Sequence, residues 1–180
     1  MPAAHAWTER DQPLRLVEQS VPKTDAEPKA LACYGLLVSC PGQPQDMDEQ
    51  VWLRFVKGRP VSAITIPYLT RCCDKLQAMG KKALLLVWDN APWHVSKAVR
   101  QWIREHNRNV KRSGSGVRIV PCYLPSKSPW LNSIEPCWAH AKRNIVEADR
   151  TLGADELVER VCDHFGCEHE PHLALPESLS

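Results

Sequence analysis

Asp89, Asn90 and His94 lie together at the point where an apolar run, Ala83-Leu84-Leu85-Leu86-Val87-Trp88, comes to an end. A carboxylate, an amide and an imidazole so placed can bind a cation or position a substrate, because a strand end holds side chains rigidly at the margin of a sheet. A second carboxylate, Glu135, occurs in Leu124-Pro125-Ser126-Lys127-Ser128-Pro129-Trp130-Leu131-Asn132-Ser133-Ile134-Glu135-Pro136-Cys137-Trp138. It falls in the first turn of an expected helix, where the helix dipole favours negative charge. Each feature also has a plain structural reading: Asp89-Asn90-Ala91-Pro92 as a turn, and Glu135 as an ordinary first-turn residue.

The elements that must hold these residues follow from hydrophobic patterning. The 180 residues carry 43% hydrophobic and 24% charged side chains, ordinary for one globular domain with a real core. A net charge of +2 means that any nucleic-acid footprint is local. Eight cysteines form no CxxC pair, which favours reduced, packed thiols over a disulfide framework or a zinc ribbon. Without a signal-peptide pattern or a membrane-length apolar run, a soluble cytoplasmic protein is expected.

Gln12–Glu18 alternates like a short strand, and Ala30–Ser39 reads as a central strand stopped by Pro41-Gly42. Gln43–Gln50 reads as a loop, and Val51–Val56 as either strand or helical turn. A helix is predicted from about Ile66 to Met79, with Pro67 in its first turn and Gly80 at its end. Ala83–Trp88 has the continuous apolar character of a strand buried on both faces. Ser96 caps a helix running to about Asn107, with Val95, Val99, Trp102 and Ile103 on one face. Lys97, Arg100, Arg104 and Arg108 lie on the other, and a basic, glycine-rich loop, Asn109–Gly116, carries Lys111 and Arg112. That face reads either as a solvated surface or as one that tracks phosphates. Val117–Tyr123 is a further strand and Ser126–Asn132 a loop. A helix starts near Ser133 with Ile134, Trp138, Ala141 and Ile145 on one side, and Ala154–His164 is a last amphipathic helix. The order describes an α/β sheet with helices on its faces.

Taken together, Asp89-Asn90-Ala91-Pro92-Trp93-His94 and the Ser128-Pro129-Trp130-Leu131-Asn132-Ser133-Ile134-Glu135-Pro136-Cys137-Trp138 phrase resemble the catalytic core of Tc/mariner-type transposases and their bacterial insertion-sequence relatives. The likeness runs from about His5 to Phe165 and includes Gln12-Pro13 and Lys29–Gly35. The resemblance implies a ribonuclease-H-like mixed sheet flanked by helices, with a triad of carboxylates holding two Mg²⁺ (or Mn²⁺) ions. Two such ions stabilise the attacking and leaving oxygens of an in-line phosphodiester displacement. Asp89 would be the middle triad member and Glu135 the third, both metal ligands. Asn90, His94 and Asn132 would position them or the substrate, and the substrate would be double-stranded DNA at element ends and target.

The chain departs from the family pattern in two places. The interval between Asp89 and Glu135 is longer than in the mariner branch, an excess placed in the Asn109–Gly116 loop. The first Asp of the family precedes the segment that Ala6-Trp7…Gln12-Pro13 resembles, and Asp11, Asp25, Asp46 and Asp48 do not end apolar strands. The expectation is an N-terminally truncated catalytic domain, residues 1–166, lacking its first strand and followed by a flexible tail, 167–180. Cleavage by the chain alone would be impaired, and the empty sheet position would favour self-association. Two other readings come from different classes. One is a non-catalytic DNA-binding or regulatory remnant using Arg100, Arg104, Arg108, Lys111 and Arg112. The other is a zinc module on Cys162, His164, Cys167, His169 and His172, whose spacing matches no familiar closed site.

Overall fold

The computed structural model describes residues 31–40, 49–57, 61–126, 128–145 and 152–173. The predicted strand Gln12–Glu18, and Asp11, Asp25, Asp46 and Asp48, lie outside them. Four strands and four helices follow in the order β1 (Leu31–Ser39), β2 (Glu49–Lys57), α1 (Ser62–Ala78), β3 (Ala83–Trp88), α2 (Lys97–Ser113), β4 (Arg118–Tyr123), α3 (Ile134–Ile145) and α4 (Ala154–Phe165). β1 and β2 pair antiparallel, with Tyr34 opposite Arg54, and β3 and β4 pair parallel, with Leu86 opposite Pro121. These are two separate two-stranded sheets.

Alternation along the strands sorts the helices into two layers. Ala32 and Tyr34 of β1 and Val56 of β2 pack with Ile64, Tyr68 and Cys72 of α1. Leu84, Leu86 and Trp88 of β3 pack with Leu69, Cys73 and Leu76 of α1 and Val99 and Ile103 of α2. On the opposite side, Leu53 and Phe55 of β2 meet Val158 and Cys162 of α4. α3 lies beside α4 and against β1, where Trp138 and Ile134 crowd Gly35.

Several expectations change under tertiary packing. Val51–Val56 is a strand, because β1 supplies its ladder. α1 starts ahead of the predicted Ile66 and carries Pro67 in its interior. The reason lies in β1: the Tyr34 hydroxyl donates to the Val61 carbonyl (3.1 Å) and accepts from the Val61 N–H (2.9 Å), fixing the helix entry from outside. Gly80, at φ +74°, closes α1 as expected, with the Lys81 N–H reaching back to the Leu76 carbonyl (2.9 Å). Ser96 caps α2 by accepting from the Val99 N–H (3.2 Å). α2 then continues through the predicted loop to a left-handed Gly114, so Lys111 and Arg112 sit in its last turn, where basic side chains suit the dipole. β3 is buried on one face only: Leu84, Leu86 and Trp88 are covered, while Leu85 is 66% and Val87 42% exposed. The helices of the second layer, α3 and α4, pack on β1 and β2.

Cys40, Cys72, Cys73 and Cys162 are packed in the interior, whereas Cys33 and Cys122 are exposed. Cys72 and Cys73 are buried in α1, and burial pushes their thiols up to about 12 and about 11, so neither forms a ready thiolate.

Residues 167–173, the start of the segment read as a tail, run along β2. The Leu173 N–H donates to the Phe55 carbonyl (2.8 Å), and Arg54 donates to the Pro171 carbonyl (2.8 Å). Glu170 pairs with Arg54, Arg71 and Lys75, joining this segment to β2 and α1. Burial alone would raise the Glu170 carboxyl. Hydrogen bonds from Arg71 and Lys75 and the charges of Lys75 and Arg54 outweigh it and hold the group at about 2. A depressed carboxyl contributes stability that is complete above the usual carboxylate range and is lost as pH falls toward about 2. Glu170→Gln should therefore lower unfolding stability at neutral pH by about 2 kcal/mol. In urea titrations from pH 7 to pH 2, the gap between the two proteins should close on the acid side.

Candidate functional site

The site is built where β3 ends. The Leu124 N–H donates to the Trp88 carbonyl (2.9 Å), carrying the parallel ladder to the last residue of β3. The Asn90 amide then donates to the Leu124 carbonyl (2.6 Å), tying the two strand ends together. Asp89 thus projects from a doubly anchored point. Its Oδ1 accepts from the Ala91 N–H (3.0 Å) and from His94 Nδ1 (2.7 Å). An ionised carboxylate only accepts, so the His94 proton toward Asp89 sits on Nδ1. The imidazole stacks on Trp88 (4.9 Å between centroids) and meets the Trp93 ring edge-on (5.9 Å). Ring packing fixes the imidazole, and the imidazole fixes one carboxylate oxygen. The Asp89 side chain remains about half exposed (47%).

Glu135 reaches the same place from another element. A 3₁₀ turn, Pro129–Leu131, precedes α3, and the Glu135 N–H donates to the Asn132 carbonyl (3.0 Å). Asp89, His94, Asn132 and Glu135 line one cavity of about 850 Å³, together with Trp138 and residues of β1 and β3. Among the described residues, the Glu135 carboxylate has no hydrogen bond or ion pair. Structure therefore brings together Asp89, His94, Asn132 and Glu135, whereas the Asn90 amide serves the scaffold.

Magnesium is held in proteins by one or two carboxylates plus waters and substrate phosphates. Asp89 and Glu135 fit that donor set in kind: the Asp89 carboxylate is about half exposed, and that of Glu135 has no hydrogen bond or ion pair among the described residues. Among the described residues no group of three His, Cys, Asp or Glu side chains gathers, at this site or elsewhere. The zinc reading of the C-terminal residues loses its support for the same reason. His164 instead faces His140 of α3, with ring nitrogens 3.4 Å apart, and burial, first of all, pushes the Cys162 thiol up to about 12.

The basic residues of α2 start immediately beyond His94. Lys97, Arg100, Arg104, Arg108, Lys111 and Arg112 are all exposed, opposite the buried Val99 and Ile103. Arg100 lies over the Tyr123 ring (5.9 Å), and Tyr123 in turn stacks on Trp88 (5.8 Å), so the first turn of α2 adjoins the strand end that carries Asp89. Tyr123 and Gly35 had no place among the sequence-derived candidates. An aromatic closing a strand beside a charged helix, and a glycine inside an apolar strand, are the signals that could have marked them.

α3 can deliver Glu135 only because β1 carries no side chain at Gly35, where a Cβ would overlap the Trp138 ring. Gly35→Ala should cost about 1–3 kcal/mol through overpacking and alter the intrinsic fluorescence as Trp138 is displaced. Equilibrium unfolding followed by tryptophan emission reads both effects. An unchanged transition would mean that α3 does not seat on β1 at this point.

Comparison with known sequences assigns residues 47–158, more than half the chain, to a family described as DDE superfamily endonuclease. No curated protein and no solved structure matches the chain. The mixed architecture of small sheets flanked by helices is that of a ribonuclease-H-like DDE domain. No described helix is long and apolar enough to cross a membrane.

Proposed function

The chain belongs to the DDE superfamily of endonucleases, and from that premise we propose that it carries the strand-cleaving site of a transposase of the insertion-sequence kind, acting on double-stranded DNA. Asp89 and Glu135 hold a divalent ion, Mg²⁺ or Mn²⁺. The observation that carries the reading is that these two carboxylates, from a strand end and a helix start, line one cavity beside the basic face of α2. When bound, such an ion neutralises charge developing on a phosphodiester. The chain's own groups do the rest. His94 orients Asp89 through the 2.7 Å contact, Asn90 holds the strand end, and the α3 dipole favours the Glu135 carboxylate. Arg100, Arg104 and Arg108 with Lys97, Lys111 and Arg112 track the DNA backbone, a contact that fixes position without reading sequence.

Metal binding separates this reading from a purely DNA-binding one. Terbium luminescence, sensitised by the tryptophans around the cavity and competed with Mg²⁺, should reveal a site in the full chain. Asp89→Asn and Glu135→Gln should each abolish it, and His94→Phe, which keeps a ring on Trp88, should weaken it by about 10–100-fold. Mg²⁺-dependent nicking of supercoiled plasmid should be weak or absent with the chain alone, while DNA binding should survive in the first two variants. Terbium bound equally well by Asp89→Asn and Glu135→Gln would leave the non-catalytic DNA-binding reading in its place.

The basic face has its own test. The triple variant Arg100→Glu, Arg104→Glu, Arg108→Glu should weaken binding to unrelated duplexes uniformly. It should also flatten the salt dependence by about 0.9 in the log–log slope for each phosphate that is no longer neutralised. Fluorescence anisotropy between low and moderate salt measures both quantities.

A further inference from the structure

Arg71 and Lys75 stand four residues apart in α1, so they share one face of the helix, where like charges repel. β2 brings a third cation, the largely buried Arg54, to the same place. Strand and helix are joined there by the Tyr68 hydroxyl, which donates to the Trp52 carbonyl (2.8 Å). Three positive charges gathered in a partly buried spot are costly unless an anion offsets them. Among the described residues one carboxylate does so: Glu170, itself largely buried, pairs with all three.

Glu170 fills this donor set incompletely. Arg54 and Arg71 both reach its Oε2, while Lys75 takes Oε1 (3.1 Å). Arg54 gives its other terminal nitrogen to the Pro171 carbonyl (2.8 Å), and its Nε is buried with no hydrogen-bond partner among the described residues. Buried donors are nearly always paired, so an idle one calls for an explanation. Two arginines on one oxygen, a third donor idle and three cations against one negative charge mark a site with more capacity than a carboxylate uses. A terminal phosphate carries up to about two charges and three acceptor oxygens, one for each of Arg54, Arg71 and Lys75, and arginine forks suit it. Arg71 and Lys75 are half-exposed and form the mouth, where Lys75 also lies over the Trp52 ring (5.3 Å). Of the residues lining this pocket, only Tyr68 also lines the cavity of Asp89 and Glu135.

The occupant sits on a segment with no regular secondary structure. Residues 167–173 leave α4 with Cys167 packed on the cluster of Leu53 and Phe55, pass the edge of β2, and end with Leu173 on the cluster of Tyr34 and Tyr68 at the opposite face. A segment held at an edge by few backbone bonds can lift while helices and strands stay folded. We propose that Arg54, Arg71 and Lys75 form a binding site for a phosphate group, that Glu170 occupies it as an internal stand-in, and that a phosphate bound there releases residues 168–173 from β2. The Glu170 carboxyl, held at about 2, stays ionised at neutral pH, so the site opens to a competing anion and not to a change of pH.

A carboxylate tethered this close competes at an effective concentration on the order of millimolar. The probe is inorganic pyrophosphate without metal, titrated calorimetrically into the full chain at fixed ionic strength. Glu170→Gln should bind it at least about tenfold more tightly than the unsubstituted chain. Adding Arg71→Met and Lys75→Met to Glu170→Gln should abolish that binding, and both side chains are half-exposed, so the core is spared. In the unsubstituted chain, saturating pyrophosphate should speed hydrogen exchange at the Leu173 amide, whose bond to the Phe55 carbonyl holds the segment down. An unrelated DNA duplex, offered to the Arg100→Glu, Arg104→Glu, Arg108→Glu chain with and without Glu170→Gln, identifies the source of the phosphate. A gain confined to pyrophosphate means a small phosphorylated molecule, and a gain shared by the duplex means a nucleic-acid backbone. Equal affinity with and without Glu170, binding that survives loss of Arg71 and Lys75, or Leu173 exchange unmoved by pyrophosphate overturns the proposal. The pyrophosphate arm uses neither DNA nor metal, so its result stands apart from the nuclease reading.

Discussion

Each strand in this protein must find partners for a row of backbone N–H and C=O groups, and that requirement shapes the structure more than any single side chain. An unpaired strand edge is a template for association, which proteins suppress with charge, proline or cover. Here the suppression is unequal. β4 spends an asparagine and a proline on its outer edge, and β2 uses the 170–173 segment, held by the Glu170 cluster. Among the described residues, no strand pairs with the inner edges of β1 and β3. The two small sheets are thus each finished on the outside.

The candidate site sits on this division. Asp89 ends β3, while Glu135 rides on α3, which is seated on β1 at Gly35. The relative placement of the two carboxylates therefore depends on how the two sheets are held together. Within the described residues that work falls to α1, whose side chains pack on β1 and β2 in one cluster and on β3 in another. The local geometry of Asp89 is better determined: an Asx-type bond to Ala91, the His94 contact and the Trp88 stack all converge on it. One carboxylate is thus held rigidly at a strand end, and the other is delivered by a separately seated helix.

How much of this is legible in the sequence follows the range of the interactions involved. β3, the caps at Ser96 and Gly80, and the positions of Asp89 and Glu135 depend on neighbours a few residues away, and local pattern displays them. The start of α1 depends on Tyr34, far back in the chain, which bonds to Val61 on both of its backbone groups. No local signal at Ile66 or Pro67 carries that information. Val51–Val56 is ambiguous for the same reason: a short apolar segment becomes a strand only when another strand pairs with it. The extension of α2 through Asn109–Ser113 is a different case. Lysine and arginine are good helix formers, and only Gly114, at φ +69°, provides a stop, so the glycines at the end of the phrase do not make its basic start a loop.

That longer helix changes the electrostatics in a way a loop would not. Lys111 and Arg112 on a flexible connection would contribute mobile charge, whereas on the last turn of α2 they extend the row of Lys97, Arg100, Arg104 and Arg108 at fixed spacing. A straight helix of this length, rising about 1.5 Å per residue, spans about 25 Å, several phosphate spacings along a duplex. Its start is locked to the strand end through Arg100, Tyr123 and Trp88. The row of charges thus ends at the margin of the cavity that holds Asp89. The net charge of +2 conceals this, because the acidic residues that balance it lie elsewhere, with Glu105 as the one acidic side chain in α2. Position along one rigid element, more than total charge, gives the chain a directed basic surface.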